Sequence, residues 1–159
     1  MGAKAEALAK QFEAKVQEAT SVLEKISDAD WKKVTQGEQW PVGVTAHHLA
    51  QSHAGIAGLI KSLASGQHTA SISMDDINAG NAKHAKDFAN VAKAETVALH
   101  KKNAAEAAAV VRGLDDAALA RSAPALKGMP PMTTEQAVVG ILIGHLDGHL
   151  DSIKKAIST

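Results

Sequence analysis

The chain has 159 residues, enough for one domain with a sound core, and apolar residues make up 45% of it. Lys plus Arg balances Asp plus Glu at 17 each, with no basic run, which argues against a nucleic-acid partner. Cysteine is absent, which excludes a disulfide framework and protein-borne thiol chemistry, and no apolar run nears the roughly 18 residues of a membrane span.

Alanine fills about a fifth of the chain and aromatics only 3%, with no Tyr. Alanine loses no side-chain entropy in a helix, and low β-branched and aromatic content disfavours sheets. An all-α fold is expected. The N-terminal MGAKAEALAKQFEAK is charged and amphipathic, unlike a signal peptide, and Glu6 departs from the myristoylation pattern. A cytoplasmic protein is the expectation.

In chain order, Ala5, Leu8, Phe12, Val16, Ala19, Leu23 and Ile26 recur at spacings of three and four, so a helix is predicted over 3–26. Ser27 with Asp30 has capping-box-like spacing and opens the turn SDADWKKV. Trp31 and Trp40 are expected to pin this connection to the bundle rather than line a site. Pro41 suits a first helical turn, and the second helix runs from there to Ser65, stopping at Gly66. Its apolar arc holds Val42, Leu49, Ile56, Leu59, Ile60 and Leu63.

GQHTASIS is predicted as a crossing loop, with Asp75 or Asp76 opening the next region and DINAGNAK as an irregular entry. A third helix is predicted over 82–114, with Phe88, Ala92, Leu99, Val110 and Leu114 on one face. RSAPALKGMPP is predicted as a loop. Thr133 with Gln136 then caps a last helix reaching Ile157. Four helices joined by loops predict a single-domain four-helix bundle over 1–159, a variant of up-and-down topology.

On a regular last helix, His145 and His149 fall within about 40° of the line through Val138, Leu142 and Ala156, so both are expected to point inward. Two histidines four apart present their rings one turn apart on one face, where they can share a metal. A third ligand from the second helix is open between His48 and His53, on opposite edges of its apolar arc. His47 is expected to be solvated, and His68, His84 and His100 exposed. Thr96 and Asn103, on the inner arc of the third helix, are candidate pocket residues alongside His53. Gly140, Gly144 and Gly148 form a bare strip, read as close helix packing, with a homodimer seam or substrate space as alternatives.

WPVGVTAHHLAQSH, Trp40 to His53, resembles the Trp-Ser-x-x-x-x-x-x-His-Leu pattern that opens helix two in the DinB-like family of metalloenzymes. GHLDGHLDSIKK, Gly144 to Lys155, resembles its H-x-x-x-H-x-x-x-I signature in helix four. Pro41 stands where the family has Ser. The resemblance implies a three-His site of His48, His145 and His149 with open coordination positions, the pattern of a catalytic rather than a closed site. It implies a divalent metal cofactor, zinc or nickel. It also implies a small-molecule substrate, with a low-molecular-weight thiol among the partners, in a thiol-dependent transferase or isomerase. A hydrolase is the neighbouring expectation. A non-catalytic interaction or dimerisation module, with or without metal, is the alternative. Neutral charge and few aromatics give no basis for direct DNA binding.

Overall fold

The computed structural model describes residues 2–158, and among them four long helices carry the core. Helix α1, Ala3–Lys25, buries Ala5, Leu8, Phe12, Ala19 and Leu23 on one stripe, as its periodicity predicts. Ser27 caps the short helix α2, Asp28–Trp31, by accepting from the Asp30 amide at 3.1 Å. Helix α3, Val42–Ser65, starts after Pro41 and ends where Gly66 adopts φ 75°, a left-handed conformation that a side chain would resist.

The next region departs from expectation. DINAGNAK is regular helix, not an irregular entry. It lies inside α4, Met74–Asp87, which Ser73 opens with a reciprocal capping box to Asp76. The expected helix over 82–114 is broken at Phe88, whose ring leaves the helical path to stack on His47 at 4.0 Å between centroids. Helix α5, Lys93–Arg112, begins a turn later. Its inner face is Thr96, His100, Asn103, Ala104, Ala107, Ala108 and Val111, small and polar residues that α1 and α3 approach closely. Of the expected face only Leu114 is buried; Ala92 is exposed, and Leu99 and Val110 are half-buried.

After α6, Asp116–Ala120, the expected loop RSAPALKGMPP contains a small antiparallel ribbon. Strand β1, Ser122–Pro124, pairs with β2, Pro131–Thr133, in the register Ser122↔Thr133. Thr133 and Gln136 form the expected capping box at α7, Thr134–Ala137. The helix then continues through a π-helical turn, Val138–Ile143, into α8, Gly144–Ile157.

Cross-helix partners give the directions. Glu6 meets Arg112 and Thr20 meets His100, so α1 and α5 are antiparallel. Ala50 meets Asn103, and Ala64 meets Arg121 beyond the end of α5, so α3 and α5 run parallel. Lys4 meets Glu135 and Lys15 meets Asp147, so the last helix runs parallel to α1. The order is up, down, down, up, an all-α bundle whose parallel middle pair requires the long crossover containing α4. Among the described residues no helix is long and apolar enough to cross a membrane.

Gly140, Gly144 and Gly148 do not make the expected close packing. All three are exposed; a Cβ at Gly140 or Gly148 would meet nothing within 4 Å. The strip lies on the outer side of the helix, where no element packs.

Candidate functional site

Two helices and one loop build the site. The π-helical turn decides where α8 presents its histidines. A wider turn absorbs an extra residue, which rotates the following face by about 100° relative to a regular helix. Buried positions therefore run Val138, Leu142, Leu146, Leu150, Ile153, in steps of four through the turn. His145 and His149 are thus not in line with the core, as a straight helix predicts. They sit half-buried on the flank that faces α3.

There they meet His48, which is 9% exposed. His145 Nε2 lies 3.1 Å from His48 Nε2 and 3.1 Å from His149 Nε2. One ligand nitrogen from each of the three falls within 4.8 Å of the others. Of the two α3 candidates left open by periodicity, the structure brings His48 to the pair. His53 is elsewhere, in the core.

The loop before α3 adds a carboxylate that sequence reasoning missed. Glu38 Oε1 lies 2.9 Å from His149 Nδ1. The loop is held as a tight return: Val34 bridges Pro41, the Thr35 amide donates to Trp40 O at 2.8 Å, and Gln39 takes φ 60°. A non-glycine residue in that region costs of order 1–3 kcal/mol, a strain that recurs where a loop must aim a functional group. Glu38 stands 111 residues from His149 in sequence, and no periodicity relates them. The only signal is an acid in the turn just ahead of a helix-starting Pro41.

Burial alone would raise the Glu38 carboxyl, but the neighbouring Thr35 hydroxyl, His149 imidazole and Ser152 hydroxyl outweigh it and hold it below its ordinary value. An ionised Glu38 can only accept, so the proton of this contact sits on His149 Nδ1 and Nε2 is the nitrogen aimed at His145. Burial first, and the neighbouring histidines second, push His48 down to about 3 and His145 down to about 4. Both are neutral at pH 7.

These protonation states leave a conflict. If His145 Nε2 is bare, its one lone pair can accept from only one of its two neighbours. If it carries a proton, it can donate to only one of its two neighbours. No arrangement of protons satisfies both 3.1 Å contacts. A divalent cation would, by taking a lone pair from each of the three nitrogens. The donor set is three imidazoles with one ring fixed by a carboxylate, and it fits such an ion.

Around the triad, Trp40 stands edge-on to His48 at 5.3 Å between centroids, so it borders the site as well as the loop it was expected to pin. Trp31 keeps the expected role: its Nε1 donates to Val91 O at 2.9 Å, and its indole lies so close to Gly43 that no Cβ would fit there. His47, expected in solvent, is 3% exposed, because the C-terminal end of α4 covers it. Its Nδ1 lies 2.8 Å from Nε2 of His84, itself 9% exposed rather than open to solvent. His84 Nδ1 is buried without a partner among the described residues.

His100 is also buried, not exposed. It lies 3.1 Å from His53 and 3.0 Å from the Thr20 hydroxyl. Thr96 donates to its own Ala92 carbonyl, and Asn103 donates to Ala50 O at 3.0 Å. The structure therefore places His53, Thr96 and Asn103 in the packing between helices, outside the two cavities that meet at His48. Two cavities meet at His48. One, of about 370 Å³, is polar, with Gln51, Asn81, Lys83, His84 and Asp87 in its walls. The other, of about 720 Å³, is apolar and reaches His145.

A sequence profile described as the DinB superfamily matches residues 11–153. No curated protein matches the chain. Among solved structures, the chain is similar to a histidine-to-alanine mutant of the mycothiol-dependent maleylpyruvate isomerase, with a TM-score of 0.75 and 11% identity. That match covers 96% of this chain and 63% of the other. The chain spans less than two thirds of the isomerase's length, and the likeness is one of fold.

Proposed function

The chain belongs to the DinB superfamily, and on that premise we propose that it holds one divalent metal ion, zinc or nickel, through His48, His145 and His149 and acts as a metal-dependent enzyme of the thiol-dependent transferase or isomerase type. The observation that carries this reading is the convergence of three imidazole nitrogens whose two 3.1 Å contacts protons cannot satisfy together. An ion bound there supplies Lewis-acid chemistry, lowering the pKa of a water or small thiol and polarising an electrophile.

The chain's own residues have separable parts in this reading. Glu38 fixes the tautomer and orientation of His149. Trp40 screens one side of His48 from water. The polar cavity, with Gln51, Asn81, Lys83 and Asp87, offers donors and acceptors to a hydrophilic cosubstrate. His84, with one nitrogen unpaired at the edge of that cavity, is the first candidate to move a proton. Since the chain has no cysteine, any thiol arrives as a cosubstrate. The fold-level likeness to a mycothiol-dependent isomerase makes thiol reactions the first class to screen.

Elemental analysis of untagged protein, purified without chelator, tests the site. The expected result is one zinc or nickel per chain, lost in His145→Ala and His48→Ala and kept in His47→Ala. Protein that takes up no metal at neutral pH, even when supplied with it, would end this reading.

A further inference from the structure

The apolar cavity has a composition that the metal reading does not require. It is about 720 Å³, within the usual range for small-molecule pockets, and no Asp, Glu, Lys or Arg lines it. Its floor is α3, through Ile56 and Leu59. Its walls are the crossover and the start of α4, the β1–β2 connection, and Ile141 of the π-helical turn. The Lys127 amide donates to Ile72 O at 2.9 Å and ties two of these walls together, so the space is a walled trough, open on one side, rather than a flat face.

Three further observations point to an occupant. Of the large hydrophobic residues left exposed among the described residues, Ile72, Met74 and Met129 all lie in these walls, at 48%, 51% and 49% exposure. Apolar side chains gathered around a cavity gain by covering one another with a ligand. Second, Gly58 lies in the floor of the trough, mid-helix, with nothing within 4 Å of where its Cβ would stand. A glycine there costs about 1 kcal/mol relative to alanine and relieves no clash within the chain. It leaves volume in the trough. Third, His68 lines the cavity, bonded through Nδ1 to the Ser62 hydroxyl at 2.7 Å, while its Nε2 is buried with no partner among the described residues. A buried polar atom left unpaired costs about 1–3 kcal/mol, which a ligand group can recover.

We infer that this trough binds an elongated, uncharged, largely hydrocarbon molecule whose one polar group hydrogen-bonds to His68 and whose body extends toward His48 and His145. The inference rests on the proposed function only for its direction: the histidine end is where the substrate would react. In the metal-free protein, and away from the histidine end in the loaded one, an ionised head group meets no Asp, Glu, Lys or Arg in these walls, and its burial is costly. The electrophilic substrate is therefore of this apolar class, while the hydrophilic cosubstrate takes the polar cavity on the other side of His48.

Binding of Nile red, an uncharged dye, to metal-free protein tests the trough, with 1-decanol, decanoate and decane as competitors. The expected result is saturable binding displaced by 1-decanol, with decanoate weaker by about tenfold or more, since uncompensated burial of its charge exceeds 1.4 kcal/mol. Gly58→Leu should fill the space and weaken dye binding about tenfold without lowering Tm. Met129→Asp, at the exposed mouth, should weaken it as well. His68→Leu should weaken 1-decanol about fivefold, the loss of one hydrogen bond, and leave decane unchanged. Dye binding undiminished in both Gly58→Leu and Met129→Asp, or equal competition by decanoate, would overturn the inference. His149→Ala separates this outcome from the metal reading, because His149 does not line the trough. Dye binding retained in that variant supports the trough whether or not the metal site stands.

Discussion

At the residue scale, His149 and Glu38 form the pair on which the site's chemistry turns. His145 and His149 were legible as a pair because spacing of four on one helix is a local pattern. Glu38 was not, because its partner lies on another element and its own loop carries no period. The same limit explains His47, His84 and His100. Periodicity assigns a residue to one face of its own helix, but burial depends on what covers that face. His47 is enclosed by His84 of α4 and by Phe88 just beyond it, and His100 by Thr20 and His53 from α1 and α3. The role of Glu38 can be isolated by Glu38→Gln, which keeps shape and one acceptor but removes the charge. An outer carboxylate of this kind typically affects metal affinity by about 10–100-fold. Competition with a chromophoric chelator should show a loss in that range, with the helical circular dichroism unchanged. Unaltered affinity would assign Glu38 to loop structure alone.

At the element scale, the helices themselves were largely legible, and their interfaces were not. The stripe of α1 and the caps Ser27 and Thr133 follow from residue types at fixed offsets. Neither the break at Phe88, where the ring stacks on His47, nor the π-helical turn at Val138–Ile143 follows from helix propensity, which tertiary context overrides. The interface of α3 with α5 carries an unexpected polar contact, His53 to His100, with both rings buried. Burial first, and His100 second, hold His53 down to about 3; burial lowers His100 as well. In the unfolded chain both return to the ordinary histidine value near 6.5. Between the folded and unfolded values the unfolded state binds more protons, so stability is full above about 6.5 and is lost as pH falls through that window. Urea unfolding of metal-free protein should therefore show decreasing stability from pH 7 toward pH 4. The slope should be shallower in His53→Gln, by up to about 1.4 kcal/mol per pH unit. An identical slope in the variant would mean that His53 is charged or solvated in the folded state.

At the scale of the whole molecule, the triad joins parts of the chain that are far apart in sequence. His48 belongs to α3, His145 and His149 to the last helix, and Glu38 to the loop that launches α3. The last helix packs on the core through Leu142, Leu146, Leu150 and Ile153, while its exposed ion pairs to α1, such as Lys15–Asp147, contribute little in water. The bundle was foreseeable as a bundle from four amphipathic runs. Its up, down, down, up order was not, since the parallel placement of α3 and α5 depends on α4 being a separate helix within the crossover. An ion that binds the folded triad and not the unfolded chain stabilises the fold by mass action, by about 2.7 kcal/mol when free metal is 100 times Kd. For a chain of this length that corresponds to a rise in Tm of about 5–11 °C. Calorimetry with zinc and with chelator should differ by this amount in the wild-type protein. The difference should vanish in His149→Ala while the chelated forms of the two proteins melt close together. A shift that persists in His149→Ala would place the stabilising ion elsewhere, whereas a wild-type Tm indifferent to zinc would mean that the three imidazoles meet without binding one.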